Sequence, residues 1–385
     1  MSAKHATIAS LDGLRGLAVL AVLVDHFAWS FTDKTPLLKT YLEAGWIGVD
    51  LFFVLSGYLI TRGLVKSTAK PIAERLKLFW MRRVLRIFPL YYLLLIFGAL
   101  VCLALGAYAQ LPTWPAWIYA QNYSLAFDTH ALRWTAHTWS LAIEEQFYFF
   151  WPLLMLTIAP KLRIPLTLTM AASCFLLRAV MVLKPAFFAA HLPSFADGDA
   201  MLIARLVYRA TPTHMEGLLA GALIAMFEAD PSHTLSKLWA RWRAVVAVLS
   251  TAALLSLFVL TRGFIAEDRR VLILGLPLLA VAFASWVSLA ADGTASPAAL
   301  RFLQTPRLVS VGKVSYAMYL IHWPVVALSA GLLERWVAPL PTILAIFFGF
   351  AVILAGTWLA YVFAQWSFVH IEGRFLARKE KYADA

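Results

Sequence analysis

Several groups of polar residues interrupt otherwise apolar stretches, and most are spaced as helix faces. Arg15 and His26 are eleven residues apart. At ~100° per residue that spacing returns them to within ~20° of one face, with a rise of ~16 Å between them. Asp12 falls about 40° from His26 on that face and can pair with Arg15 across one turn. His137, Ser140, Glu144 and Tyr148, at intervals of three, four and four, form a second stripe with Glu145 to its side. Ser315, Tyr319 and His322 share a third face, Arg82, Arg83 and Arg86 cluster ahead of Pro89, and Asp50 and Ser56 follow Gly45 and Gly48.

These residue types suit proton transfer beside a phosphate-bearing substrate. An imidazole titrates near working pH and is a common general base toward a hydroxyl, which makes His26 the candidate base. Glu144, or Asp50 in competition with it, is the candidate carboxylate that orients His26. Guanidinium forks suit phosphate oxygens, so Arg15, Arg82, Arg83 and Arg86 are candidate binders of such a group. Asp12, Ser56, His137, Glu145, Tyr148, Tyr319 and His322 are candidates to line the cavity. Plainer readings stand beside these: a packing histidine, a snorkelling arginine, a buried ion-pair network, and anchoring of the loop. No HExxH or comparable ligand spacing argues for a metal, and Ser56-Gly57 is not the GxSxG elbow of a serine hydrolase.

The elements that position these residues follow from composition. The chain has 385 residues, 62% hydrophobic and 14% charged, with a mean hydropathy of +0.75; a soluble domain carries about a quarter charged residues. Apolar stretches such as Leu17–Phe31, Leu90–Ala109, Val245–Leu260 and Thr342–Ala364 are, with their flanks, long enough to span ~30 Å of hydrocarbon. They lack the alternation of barrel strands. The expectation is an all-α polytopic membrane helical bundle forming one domain over 1–385. Its ten spans are Ser10–Phe31, Gly45–Val65, Leu85–Ala109, His137–Ile158, Ile164–Leu183, Tyr208–Phe227, Ala244–Thr261, Val271–Ala291, Val309–Leu333 and Leu340–Trp366. The net charge of +12 concentrates on alternate segments, with 21 basic residues on one side against 10 on the other. That asymmetry predicts both termini, including the tail 370–385, to be cytoplasmic, and it removes the need for a nucleic-acid partner. Cys102 and Cys174 fall inside apolar stretches and suggest no disulfide framework. Met1–Thr7 is short and polar, so the first apolar segment reads as a retained span.

Taken together, the segments resemble the acyltransferase-3 family of integral membrane O-acyltransferases. The matching words are Ser10-Leu-Asp-Gly-Leu-Arg-Gly-Leu-Ala-Val through His26, and Gly45-Trp-Ile-Gly-Val-Asp-Leu-Phe-Phe-Val-Leu-Ser-Gly-Tyr. Arg82-Arg-Val-Leu-Arg-Ile-Phe-Pro, His137-Thr-Trp-Ser-Leu-Ala-Ile-Glu-Glu-Gln-Phe-Tyr and the looser Ser315-Tyr-Ala-Met-Tyr-Leu-Ile-His follow in family order. The resemblance implies transfer of an acyl group, commonly acetyl, from cytoplasmic acyl-CoA to a hydroxyl, by a multi-pass protein of the cell inner membrane. Typical acceptors are envelope polysaccharides, lipid-linked sugars and peptidoglycan, and some relatives acylate small hydroxylated metabolites. It also implies that Arg15 and His26, an arginine and a histidine separated by ten residues, are the active-site signature. No tightly bound cofactor is expected beyond the acyl-CoA substrate. Some members append an extracytoplasmic hydrolase-like domain; with the last span so close to Ala385, the expectation is that this chain completes transfer itself or uses a separate partner. A proton-coupled transporter is the rival class, since intramembrane Asp, Glu and His residues serve such carriers too.

Overall fold

The computed structural model describes residues 9–28, 36–66, 70–108, 111–127, 135–185, 187, 200–337 and 340–379. Met1–Thr7, residues 380–385 of the tail and the expected span ends Phe31 and Ala109 lie outside the described residues.

Among the described residues every regular element is helical. The principal helices are α1 (Ala9–Ala28), α2 (Ile47–Leu64), α3 (Ile72–Ala104), α4 (Trp139–Thr157), α5 (Pro160–Leu183), α6 (Glu216–Ala229), α7 (Thr234–Leu260), α8 (Leu276–Ala291), α9 (Ser315–Leu332) and α10 (Thr342–Ser367). Seven helical runs, those containing α2, α3, α5, α7, α8, α9 and α10, are long and apolar enough to cross a membrane. The other three are shorter or more polar. α1 carries Asp12, Arg15 and Asp25 within 20 residues, α4 carries Glu144 and Glu145 within 19, and α6 is 14 residues long. These shelter inside the bundle: the core includes Leu14, Val19 and Leu23 of α1, Ala142 and Trp151 of α4, and Leu218 and Ala222 of α6. The same contrast separates the long helices. In the most apolar window, 67% of residues are buried for Leu38–Leu64 but only 17% for α7, whose Val248, Leu249 and Val259 face outward.

Three expected spans differ in detail. The third begins earlier: α3 takes in Arg82, Arg83 and Arg86 and continues through Pro89 for 33 residues. At ~1.5 Å per residue it reaches about 50 Å, so its basic first half extends past the hydrocarbon. Arg82 and Arg83, which lay ahead of the expected span, are therefore helical as well. The sixth is interrupted at Ala210–Met215, where Pro212 opens a separate turn, Thr211–His214, because proline cannot donate to a continuing ladder. The ninth is broken at Val314, between the short helix Pro306–Lys313 and α9.

Two glycine contacts fix the crossings that matter for the site. A Cβ at Gly57 would lie 1.9 Å from the Leu218 carbonyl oxygen, and one at Gly221 would lie 2.0 Å from that of Val54, so α2 and α6 meet backbone to backbone. A Cβ at Gly312 would lie 1.8 Å from the Asp12 carbonyl oxygen, which seats Pro306–Lys313 on the first turn of α1.

Candidate functional site

The site consists of two cavities at different depths along α1. Arg15, near its start, donates from Nη1 to Asp12 Oδ1 at 2.9 Å. Its guanidinium lines a cavity of about 100 Å³ together with Arg83 and Arg86 of α3, Ser56 of α2, Glu144 and Tyr148 of α4, and Ser315 and Tyr319 of α9. Ser56 Oγ donates to Glu144 Oε1 at 2.6 Å. The Arg83 guanidinium lies over the rings of Tyr148, at 5.4 Å, and Phe79, at 5.8 Å. Arg82 does not line this cavity; its Nε donates back to the Leu78 carbonyl at 3.2 Å. Helical phase puts residue 86 between the two, ~40° from 82 and ~60° from 83, and the cavity opens on the side of 86 and 83, leaving 82 beyond its edge. Asp12 and Glu145 do not line it either. Asp12 acts through Arg15, and Glu145 keeps one carboxylate oxygen buried without a hydrogen-bond partner.

His26, about three turns further along α1, faces a larger chamber of about 650 Å³. Asp25, His137, Trp46, Trp139, Tyr208, Arg209, Glu267 and Trp323 also line it. This mixture of aromatic faces and charged groups suits a polyhydroxylated ligand, whose C–H faces and hydroxyls need both. The two cavities have Val49 and Tyr319 in common. The Tyr319 hydroxyl is hydrogen-bonded to Ser140 Oγ at 2.6 Å and donates to the carbonyl of His137, which fixes it at the partition.

Behind His26 stands a second imidazole. His26 Nδ1 is 2.7 Å from His322 Nε2, the two rings lie within 2° of parallel, and His322 Nδ1 is 2.6 Å from the Tyr319 carbonyl oxygen. His322 lines neither cavity; it supports the wall. His137 precedes α4, in the turn Ala136–Thr138, and so leaves the stripe formed by Ser140, Glu144 and Tyr148 and faces the larger chamber. Both of its ring nitrogens are buried without a hydrogen-bond partner, and its ring stacks on Trp323 with centroids 5.5 Å apart.

The expected carboxylate partners of His26 are elsewhere. Glu144 bonds Ser56 in the arginine-lined cavity. Asp50 lies in neither cavity; its Oδ1 is 3.0 Å from His214 Nε2, while His214 Nδ1 is 2.5 Å from the Tyr208 carbonyl oxygen. Both nitrogens of His214 thus face acceptors, and the pair with Asp50 holds the proton that satisfies both. Beyond it, the fully buried Arg178 donates to Glu216 at 2.6 Å and to the Thr213 carbonyl at 2.7 Å. Among the described residues the carboxylate beside His26 is that of Asp25, with Oδ2 at 3.8 Å from Nε2, too long for a hydrogen bond. The His26–His322 pairing had only a faint signal in sequence, the shared face of Ser315, Tyr319 and His322. Arg209 and Trp323 had none beyond their residue type. Among the described residues no group of three or more His, Cys, Asp or Glu side chains is arranged to hold a metal ion.

Comparison with known proteins bears on what such a pair of cavities does. A family model described as an acyltransferase domain matches residues 8–362. The peptidoglycan O-acetyltransferase OatA of Listeria monocytogenes is 31% identical over 343 residues, covering 85% of this chain and 50% of that protein. The O-acetyltransferase OatA of Staphylococcus aureus strain NCTC 8325 is 29% identical over 334 residues, covering 82% and 50% respectively. The chain spans about half the length of these relatives. No solved structure matches it.

Proposed function

The chain belongs to the acyltransferase-3 family, and from that premise we propose that it moves an acetyl group from acyl-CoA to a glycan hydroxyl across the partition between its two cavities. The observation that carries this reading is the shared lining of Val49 and Tyr319, which brings an arginine-lined cavity against a chamber containing an imidazole. Phosphates of the donor bind Arg15, Arg83 and Arg86, on the side that the excess of Lys and Arg assigns to the cytoplasm. The acceptor, a peptidoglycan-like carbohydrate by analogy with the relatives' substrates, enters the chamber of His26, His137 and Trp323.

The chemistry follows from what each group can donate or accept. The acceptor hydroxyl gives its proton to His26 Nε2 as its oxygen adds to the thioester carbonyl. The C–S bond then breaks, CoA leaves as the thiolate and is protonated on the arginine side, and His26 Nε2 gives up the proton it took to water in its chamber, which restores the base. A positioned base contributes roughly 10²–10⁴-fold to such a step. The Ser56 proton is committed to Glu144, so Tyr148 is the hydroxyl of the donor cavity offered to the developing oxyanion. No resident cofactor is required.

The test is incubation of purified protein with acetyl-labelled acetyl-CoA and peptidoglycan fragments. Label recovered on a glycan hydroxyl, and lost in His26→Ala, is the expected result. Release of CoA with no labelled acceptor among the peptidoglycan fragments would overturn the acceptor assignment. Mass spectrometry of envelope glycans from cells with and without the protein reads the same transfer in vivo, as a mass difference of one acetyl group.

A further inference from the structure

We propose that His322 is a positioning residue that holds His26 in the tautomer whose Nε2 lone pair faces the larger chamber; this rests on the acyl-transfer reading given above. A backbone carbonyl oxygen only accepts hydrogen bonds, so His322 Nδ1, 2.6 Å from the Tyr319 oxygen, is the nitrogen that carries its proton. A neutral imidazole has one N–H, which leaves His322 Nε2 as an acceptor. His26 Nδ1, 2.7 Å away, must then be the donor, and the lone pair of His26 sits on Nε2. The chain of assignments runs in one direction because it is anchored on a carbonyl.

Burial agrees with this division of labour. His322 is 0% exposed and lines neither cavity, whereas the His26 side chain is 18% exposed and lines the larger chamber. With Asp25 Oδ2 at 3.8 Å, Nε2 has room for an acceptor hydroxyl. The edge of Trp323, with ring centroids 4.8 Å apart at 86°, fixes the His26 ring from the side. His322 thus does for His26 what a carboxylate does in a serine-hydrolase triad, where the wrong tautomer costs about 10⁴-fold in kcat. A neutral partner orients the ring but adds no charge to stabilise the imidazolium, and without it both tautomers populate. The loss on removing His322 is therefore smaller.

Three measurements decide it. In resting protein labelled with ¹⁵N-histidine, with His26 signals assigned by their loss in His26→Gln, the non-protonated nitrogen of His26 should be Nε2; a proton on Nε2 would overturn the proposal whatever the variants do. In the acetyltransferase assay, His322→Leu should lower kcat roughly 10- to 100-fold, below the triad limit, with KM for acetyl-CoA changed less than about twofold, and should yield a mixture of His26 tautomers. His322→Gln keeps an acceptor oxygen near the former Nε2 and should recover kcat to within a few-fold. A His322→Leu enzyme as active as the parent, or a His322→Gln enzyme no better than His322→Leu, would count against positioning. The resting-state spectrum needs no turnover, so failure of acyl transfer and failure of the tautomer assignment are read separately.

Discussion

Arg82 and Arg83 are neighbours in sequence and carry the same charge, yet they should differ sharply in donor binding. Arg83 lines the smaller cavity with its guanidinium spread over Tyr148 and Phe79, while Arg82 turns its Nε onto the Leu78 carbonyl outside it. A hydrogen bond to a charged group is worth about 1.5–3 kcal/mol, and every 1.4 kcal/mol is a factor of about ten in affinity. Arg83→Ala should therefore weaken CoA binding by roughly 10- to 100-fold. Arg82→Ala, which removes a half-buried charge that does not line the cavity, should change it less than about threefold. Arg83→Lys should recover only part, because an ammonium group gives neither the planar fork nor the stacking on Tyr148. Calorimetric titration of CoA into detergent-purified variants measures all three. Equal losses in Arg82→Ala and Arg83→Ala, or none in either, would refute the assignment of the cavity to the donor.

Further outcomes follow from the same geometry. His26→Ala should abolish acetyl transfer while expression, membrane insertion and CoA affinity stay near normal; activity within a few-fold of the parent would remove His26 as the base. In intact cells an impermeant thiol reagent should label Ile265→Cys, in the loop between α7 and α8. Ser232→Cys, in the loop between α6 and α7, should react only after permeabilisation, and the reverse pattern would invert the orientation. Arg178→Ala leaves Glu216 buried without its cation, a loss of about 3–5 kcal/mol for a buried pair. It should appear as a lowered Tm and reduced folded yield, and an unchanged thermal transition would mean that the pair is not structural. Gly221→Val should also fail to fold, since its Cβ would lie 2.0 Å from the Val54 carbonyl oxygen, and normal yield on size-exclusion chromatography would contradict the close α2–α6 crossing.

The amino-acid sequence by itself determined whatever depends on local periodicity. Long apolar runs had to be helices, because a chain in hydrocarbon must satisfy its own backbone. Ser140, Glu144 and Tyr148 had to share a face, and they do line one cavity. The same periodicity put Arg15 and His26 on one side of α1, but the ~16 Å rise between them carries them into different cavities. His137 escaped its stripe because the helix begins after it, a boundary that spacing alone does not set. Tertiary structure decided the partners. His26 meets His322 across 296 residues of chain, Asp50 meets His214 across 164, and Glu144 meets Ser56 across 88. Such pairings depend on which helices cross and at what depth. Those crossings are set where glycines such as Gly57, Gly221 and Gly312 let backbones touch and where buried polar groups find partners. Helical spacing states which residues face the same way; only the packed bundle states what they face.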